Sequence, residues 1–252
     1  VNLRRFRDRS FTVGCILSFV LGFGLFSATY MTPVFLGFVR GHGALEIGKI
    51  MIVAGAAQLF AAPFAAYLET RIDARKLAFA GYAVFAAGLI LNGFQTPRWD
   101  FGEFFWPQVL RGVAIMFCLL PSTRLALDGW PKDQLSDASA LFNLMRNLGG
   151  AIGIALVDTV VEQRTPGHAA SLVAQLQAGS RKTAEFVGLP LQYFHDKALG
   201  PVDAFTKSLV EPLVRKAGLT LSFNEAWLMI GALFVLSLPA LLLATRARPD
   251  RS

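Results

Sequence analysis

Charge is scarce in this chain. Of its 252 residues 16% are charged and only 17 are acidic, against roughly a quarter charged in ordinary soluble domains. Histidines number three and cysteines two. Cys15 and Cys118 both fall inside long apolar runs, which suits small buried side chains and argues against a disulfide framework or a metal cluster. His42, His168 and His195 lie far apart, between the apolar runs, with no cysteine or acid at metal-ligand spacing. No glycine-rich phosphate loop with a lysine is present. The sequence therefore offers no catalytic constellation and implies no cofactor. Nor does it open like a cleavable signal peptide, because the first apolar run, from Phe11 to Val39, is too long for one. Val1 in place of methionine fits a non-standard start, a processed product or a piece of a longer chain.

What the chain has in abundance is apolar length. It is 54% hydrophobic with a mean hydropathy of +0.50. About 20 apolar residues at 1.5 Å each cross a hydrocarbon core of about 30 Å. Runs of that length stand at 11–39, 47–68, 76–95, 104–127, 138–161 and 226–245. These predict an all-α, polytopic membrane bundle of six transmembrane helices. The net charge of +7 does not indicate nucleic acid, since the basic residues flank the apolar runs, where topology and anionic lipid account for them. One side collects Arg4, Arg5, Arg7, Arg9, Arg71, Arg75, Lys76, Lys132, Arg246, Arg248 and Arg251, whereas the other holds little beyond Arg40, Lys49 and Arg98. By the positive-inside rule both termini are expected in the cytoplasm.

Three stretches follow from this pattern: a five-helix membrane segment over 1–161, an extracytoplasmic loop or cap over 162–225, and a last span with a cytoplasmic tail over 226–252. In the middle stretch apolar residues recur at helical spacing (Ala170, Leu172, Val173, Leu176, then Phe205, Leu209, Leu213, Val214), while Pro166, Pro190, Pro201 and Pro212 are expected to divide it into short amphipathic helices. Small residues crowd the spans (Gly22, Gly24, Gly55, Gly149, Gly150, Gly153) and predict close helix packing, because lipid supplies no hydrophobic drive between helices.

The stretch WPQVLRGVAIMFCLLPSTRLALDGWPKDQLSDASALFNLMRNLGGAIGIAL, from Trp106 to Leu156, resembles the fourteen-helix drug:proton antiporter branch of the major facilitator superfamily, of EmrB/QacA type. The shared features are an aromatic-Pro-Gln entry, a proline near the end of that helix, and an arginine followed by Gly-Gly-x-x-Gly. The loop LETRIDARKL (Leu68 to Leu77) and the segment LSFNEAWLMIGA (Leu221 to Ala232) are similar to the family's basic cytoplasmic loop and the entry to its last helix. The resemblance implies half of a major-facilitator fold, the final six of fourteen helices. It also implies a missing N-terminal half as partner, small amphipathic substrates, and export by proton exchange across a bacterial inner membrane. In a double-membraned cell it further implies a periplasmic adaptor protein and an outer-membrane channel. The competing reading is a truncated membrane interaction protein that transports nothing.

Ionisable groups at membrane depth cost about 2.5 to 3.5 kcal/mol on insertion scales and normally face a partner or a water path. Arg146 and Asn143, on one side of the fifth span, are candidates for the transport path or its gate; a structural clamp on a neighbouring helix is the alternative. Arg111 and Gln108 suit a polar lining, or Arg111 snorkels to the interface. Gln58 sits mid-span and faces either substrate or a neighbouring helix. Arg124 and Asp128, four residues apart, suggest a structural ion pair. Glu69, Arg71, Asp73, Arg75 and Lys76 form an alternating loop that orients the chain and, by the resemblance, acts as a cytoplasmic charge latch. Phe19, Phe23, Phe26, Phe60, Phe64, Phe117 and Phe142 are available to line a greasy cavity. Asp158 is the one acid well inside a span, near its outer end, so coupling carboxylates are expected in the other half.

Overall fold

The computed structural model describes residues 9–128, 130–190 and 204–243. Arg4, Arg5, Arg7, His195, Pro201, Arg246, Arg248 and Arg251 lie outside the described residues, as do the side chains of Arg9, Lys132 and Phe205. Every described element is helical: α1 (Arg9–Phe35), running on as a π-turn (Leu36–Arg40), α2 (Ala44–Glu69), α3 (Ala74–Leu91), α4 (Phe101–Leu127), α5 (Lys132–Gln177), α6 (Arg181–Val187) and α7 (Ala204–Leu243). Six of these are long and apolar enough to cross a membrane: Ser10–Arg40, Ala44–Glu69, Ala74–Phe94, Phe101–Leu127, Asp133–Gln177 and Ser208–Leu241. All six expected spans are present as helices, which makes the protein a multi-pass membrane bundle.

Local chemistry sets where these helices stop and start. Gly41, at φ +74°, takes the left-handed conformation that ends the π-turn, and its N–H returns to the Gly37 carbonyl. Asp73 accepts from the Arg75 N–H at 2.9 Å to start α3. Asp100 caps α4, accepting from Phe101 N–H at 2.8 Å while Glu103 takes the Asp100 N–H at 2.9 Å.

The core is a set of close crossings. A Cβ at Gly22 would run into the Arg146 carbonyl, and one at Gly149 into the Phe19 carbonyl, so α1 and α5 meet backbone to backbone. Phe234 of α7 stacks on Phe85 and Tyr82 of α3 at centroid distances of 4.8 and 5.4 Å. Phe35 packs on Phe104 and Phe223, both at 5.7 Å. By contrast α2 leans almost entirely on α4 and turns Ile52, Leu59, Phe60 and Phe64 outward. Of the aromatics available for a cavity wall, Phe23 and Phe142 are buried and Phe60 and Phe64 are exposed.

The stretch after the fifth span differs from the expectation. Pro166 and Pro212 do not divide it: both lie inside continuous helices, α5 of 46 residues and α7 of 40. At 1.5 Å per residue α5 is about 70 Å long, more than twice a hydrocarbon core. A proline removes one helical hydrogen bond, and tertiary contact offsets that loss here. Thr165 donates to the Val161 carbonyl at 2.6 Å and lies 3.0 Å from Ser222 Oγ on α7. Gly218 lies against Thr165 and Ala169, and beyond it Leu172, Leu176, Ala184, Val187, Val214 and Ala217 form a small second core. The short helix α6 closes that core, and Arg98 reaches its Glu185 carbonyl at 3.3 Å. The bundle thus has a distal end, carrying the α1–α2, α3–α4 and α5–α7 connections, and a proximal end carrying the other two.

Candidate functional site

At the proximal end α4 and α5 diverge and leave an open groove of about 550 Å³. Its polar lining is Glu69, Thr123, Arg124, Asp128, Ser139, Asn143 and Arg146, and its apolar walls include Leu119, Leu120 and Phe142. The spacing along α5 does much of the construction. Asn143 donates to the Ser139 carbonyl one turn back at 3.0 Å, which aims its oxygen forward to accept from Arg146 at 2.5 Å. The neutral amide holds the guanidinium without neutralising it, and no carboxylate pairs with Arg146 among the described residues. Arg146 therefore presents positive charge to the groove.

Arg124 builds the opposite lip. It does not form the expected pair with Asp128. Its guanidinium instead crosses to α2 and donates to the Glu69 carbonyl at 2.9 Å. The last carbonyls of a helix lack intrahelical partners and sit at the negative end of the helix dipole, so a cation is better placed there than beside a solvated aspartate. Asp128 closes α4 through its own N–H, bonded to the Arg124 carbonyl at 2.9 Å.

The alternating loop makes contacts within itself and with the neighbouring helices. Arg75 Nε lies 3.7 Å from Asp73, Arg71 stacks over the Tyr67 ring at 5.4 Å, and Glu69 serves Arg124 through its main chain. Lys76 is exposed.

Arg111, Gln108 and Gln58 stand apart from the groove. Arg111 is 3% exposed, so it does not snorkel; it donates to Thr32 Oγ1 at 3.4 Å and lies 5.4 Å over the Trp227 ring, joining α4 to α1 and α7. Gln108 is fully buried with its amide nitrogen 3.8 Å from Met51 Sδ, and Gln58 is half-buried on α2.

Polar groupings between separate helices escaped the sequence. Tyr30 of α1 donates to Asp158 of α5 at 2.6 Å, a pair 128 residues apart. At the distal end Arg40 binds Asp100 at 2.7 Å, and His42 approaches both Asp100 and Glu46 at 3.1 Å. The Arg40 guanidinium holds the Asp100 carboxyl down to about 2, helped by the Phe101 N–H and His42 and opposed by partial burial. Local spacing could have suggested only His42 with Glu46, one turn apart.

A family model described as Major Facilitator Superfamily matches residues 2–154. The chain is 39% identical over 168 residues to the colistin resistance protein EmrB of Acinetobacter baumannii, covering 67% of this chain and 33% of that one. It is 27% identical over 242 residues to the multidrug export protein EmrB of Escherichia coli K12, covering 94% of this chain and 46% of that one. It is also 27% identical over 245 residues to the fatty acid resistance protein FarB of Neisseria gonorrhoeae, covering 97% and 47%. The chain thus spans less than half the length of the curated relatives it matches.

Proposed function

The chain belongs to the major facilitator superfamily, and from that membership we propose that it forms one wall of a secondary transporter that exports amphipathic toxic compounds. The proximal groove carries this reading. A greasy wall with the Arg146 guanidinium held by a neutral amide suits molecules that combine a lipophilic body with a polar or anionic head. The relatives named for colistin resistance, multidrug export and fatty acid resistance point to the same broad class.

In this reading the exposed face of α2 and the open groove are covered by a further set of helices, the N-terminal half implied by the relatives' length. The two halves rock about the groove, as repeat-built transporters do. Proton exchange drives the cycle, with its coupling carboxylates in that other half. The proximal end faces the cytoplasm of a bacterial inner membrane, which puts the α5–α7 extension outside, where it meets a periplasmic adaptor and an outer-membrane channel.

The test is drug accumulation in cells that make this chain together with its N-terminal half. Lower accumulation than in cells lacking either half is expected, and Arg146→Ala should restore accumulation at an unchanged membrane level. Unaltered accumulation, with both halves present in the membrane, would instead favour a non-transporting interaction protein.

A further inference from the structure

His42 touches two carboxylates at once. Its Nδ1 lies 3.1 Å from Glu46 Oε2 on the first turn of α2, and its Nε2 lies 3.1 Å from Asp100 Oδ1 at the start of α4. Ionised carboxylate oxygens only accept, and a neutral imidazole carries one N–H. The doubly protonated ring satisfies both contacts, whereas the neutral ring leaves a bare nitrogen lone pair facing an oxygen. Arg40, from the π-turn that ends α1, holds the other Asp100 oxygen at 2.7 Å, and Glu103 accepts the Asp100 N–H at 2.9 Å. Three separate elements therefore meet around the linked His42 and Asp100.

The arrangement occurs a second time. His168 Nε2 on α5 lies 3.1 Å from Glu225 Oε1 on α7, and Arg164 Nε lies 3.4 Å from the other oxygen of the same carboxylate. Both groups are Arg–carboxylate–His triads, and both are at the distal end. They use every histidine among the described residues. The proximal loops and groove contain none.

We propose that these triads are acid-tightened clamps through which the pH of the distal compartment sets how firmly the distal end is closed. Protonated His42 draws the α1–α2 hairpin onto the start of α4, and protonated His168 draws α5 onto α7. Loss of the ring proton leaves one His42 nitrogen lone pair facing a carboxylate oxygen, and at His168, whose neutral ring can still turn an N–H toward Glu225, it removes the positive charge that strengthens the contact. At the first clamp the segment that joins α1 to α2 is the π-turn ending at Gly41, an irregular helix end of a kind frequent at functional sites. Imidazole is the side chain whose charge ordinarily changes between about pH 5 and 8. The device requires no transport, so it stands or falls separately from the export reading.

The experiment is amide hydrogen exchange of the chain in lipid nanodiscs at about pH 5.5 and about pH 8, corrected for intrinsic rates. In the wild type, amides over 41–47, 99–104, 165–169 and 222–226 should exchange several-fold more slowly at the lower pH, and those over 69–76 should not respond. His42→Gln should abolish the response in the first two stretches only, and His168→Gln in the last two only. His42→Arg, a permanent cation, should leave the first two protected at both pH values. Wild-type protection indifferent to pH in all four stretches overturns the proposal, as does an undiminished response in His42→Gln over the first two stretches or in His168→Gln over the last two. The wild-type and His168→Gln measurements decide the matter even where a His42 variant fails to fold.

Discussion

The Arg124 guanidinium of α4 caps the C-terminal end of α2 by donating to the Glu69 carbonyl across 2.9 Å, leaving Asp128, its neighbour one turn along, to close α4 through the backbone. Removing the donor leaves a helix-end carbonyl without its partner, whereas neutralising Asp128 removes nothing that holds the lip. Arg124 is exposed, so the loss is about 1 kcal/mol or less, equivalent to about 2 to 4 °C at most for a chain of this size. Thermal unfolding in detergent should show Arg124→Met lowered and Asp128→Asn unchanged; equal losses would restore the ion pair that the spacing suggests.

The crossing of α1 and α5 tolerates no side chain at Gly22, where a Cβ meets the Arg146 carbonyl. Backbone cannot swing aside as a flexible side chain can. Gly22→Leu should therefore cost at least the 1 to 3 kcal/mol of ordinary overpacking, about as much as a marginal bundle can bear. Gly48→Leu, at a site with open space around it, serves as the matched control. Size-exclusion profiles in detergent check the pair: aggregation of the first and a wild-type peak for the second.

How much of this was legible beforehand depends on whether an interaction is local. The six spans could be read because a hydrocarbon core demands unbroken apolar length, and Asn143 with Arg146 because three residues along a helix are neighbours. The same length rule stopped the fifth helix at 161, though α5 continues to Gln177, since water imposes no such demand on the extension. Pro166 reads as a break because the packing of Thr165 with Ser222 and Gly218 lies between residues more than 50 positions apart, and Pro212 because Val210, Leu213 and Val214 beside it pack with Leu172 and Leu176 of α5. Arg124 acquired the wrong partner for a similar reason: a carbonyl at the end of another helix leaves no mark in the sequence.

Asp100 gives the distal end a pH dependence of its own. Its folded pKa, about 2, lies below the ordinary value of 3.8. A depressed carboxyl contributes stability above its unfolded pKa and loses that contribution as pH falls through the folded one. Wild type should therefore exceed Asp100→Asn in thermal stability at neutral pH. The gap should narrow from about pH 4 and close near about pH 2, the window set by the two values. A gap constant across that window would show that the Arg40 contact does not set the titration.

Asp158 is held by Tyr30 at 2.6 Å, and asparagine in its place still presents an oxygen to that hydroxyl. On the proposed export reading, which puts the coupling carboxylates in the other half, Asp158→Asn in the complete transporter should leave proton-driven export largely intact. Drug efflux from energised vesicles measures this. Abolished efflux at a normal membrane level would move a coupling site into this half, onto the α1–α5 interface.

The α5–α7 extension carries its own core, so it can be removed without disturbing the bundle. Leu172, Leu176, Ala184, Val187, Val214 and Ala217 pack on one another beyond the point where Gly218 meets Ala169. Excising 172–214 and joining the ends with a short Gly-Ser linker keeps that contact, the Thr165–Ser222 bond and the His168–Glu225 clamp. A wider cut, from 166 to 222, would remove Ser222 and Gly218 and confuse lost docking with lost folding. With the narrow excision, membrane insertion and the thermal transition of the bundle should persist, while co-purification of the proposed periplasmic adaptor is expected to be lost. Undiminished adaptor recovery would place the docking surface elsewhere on the distal end.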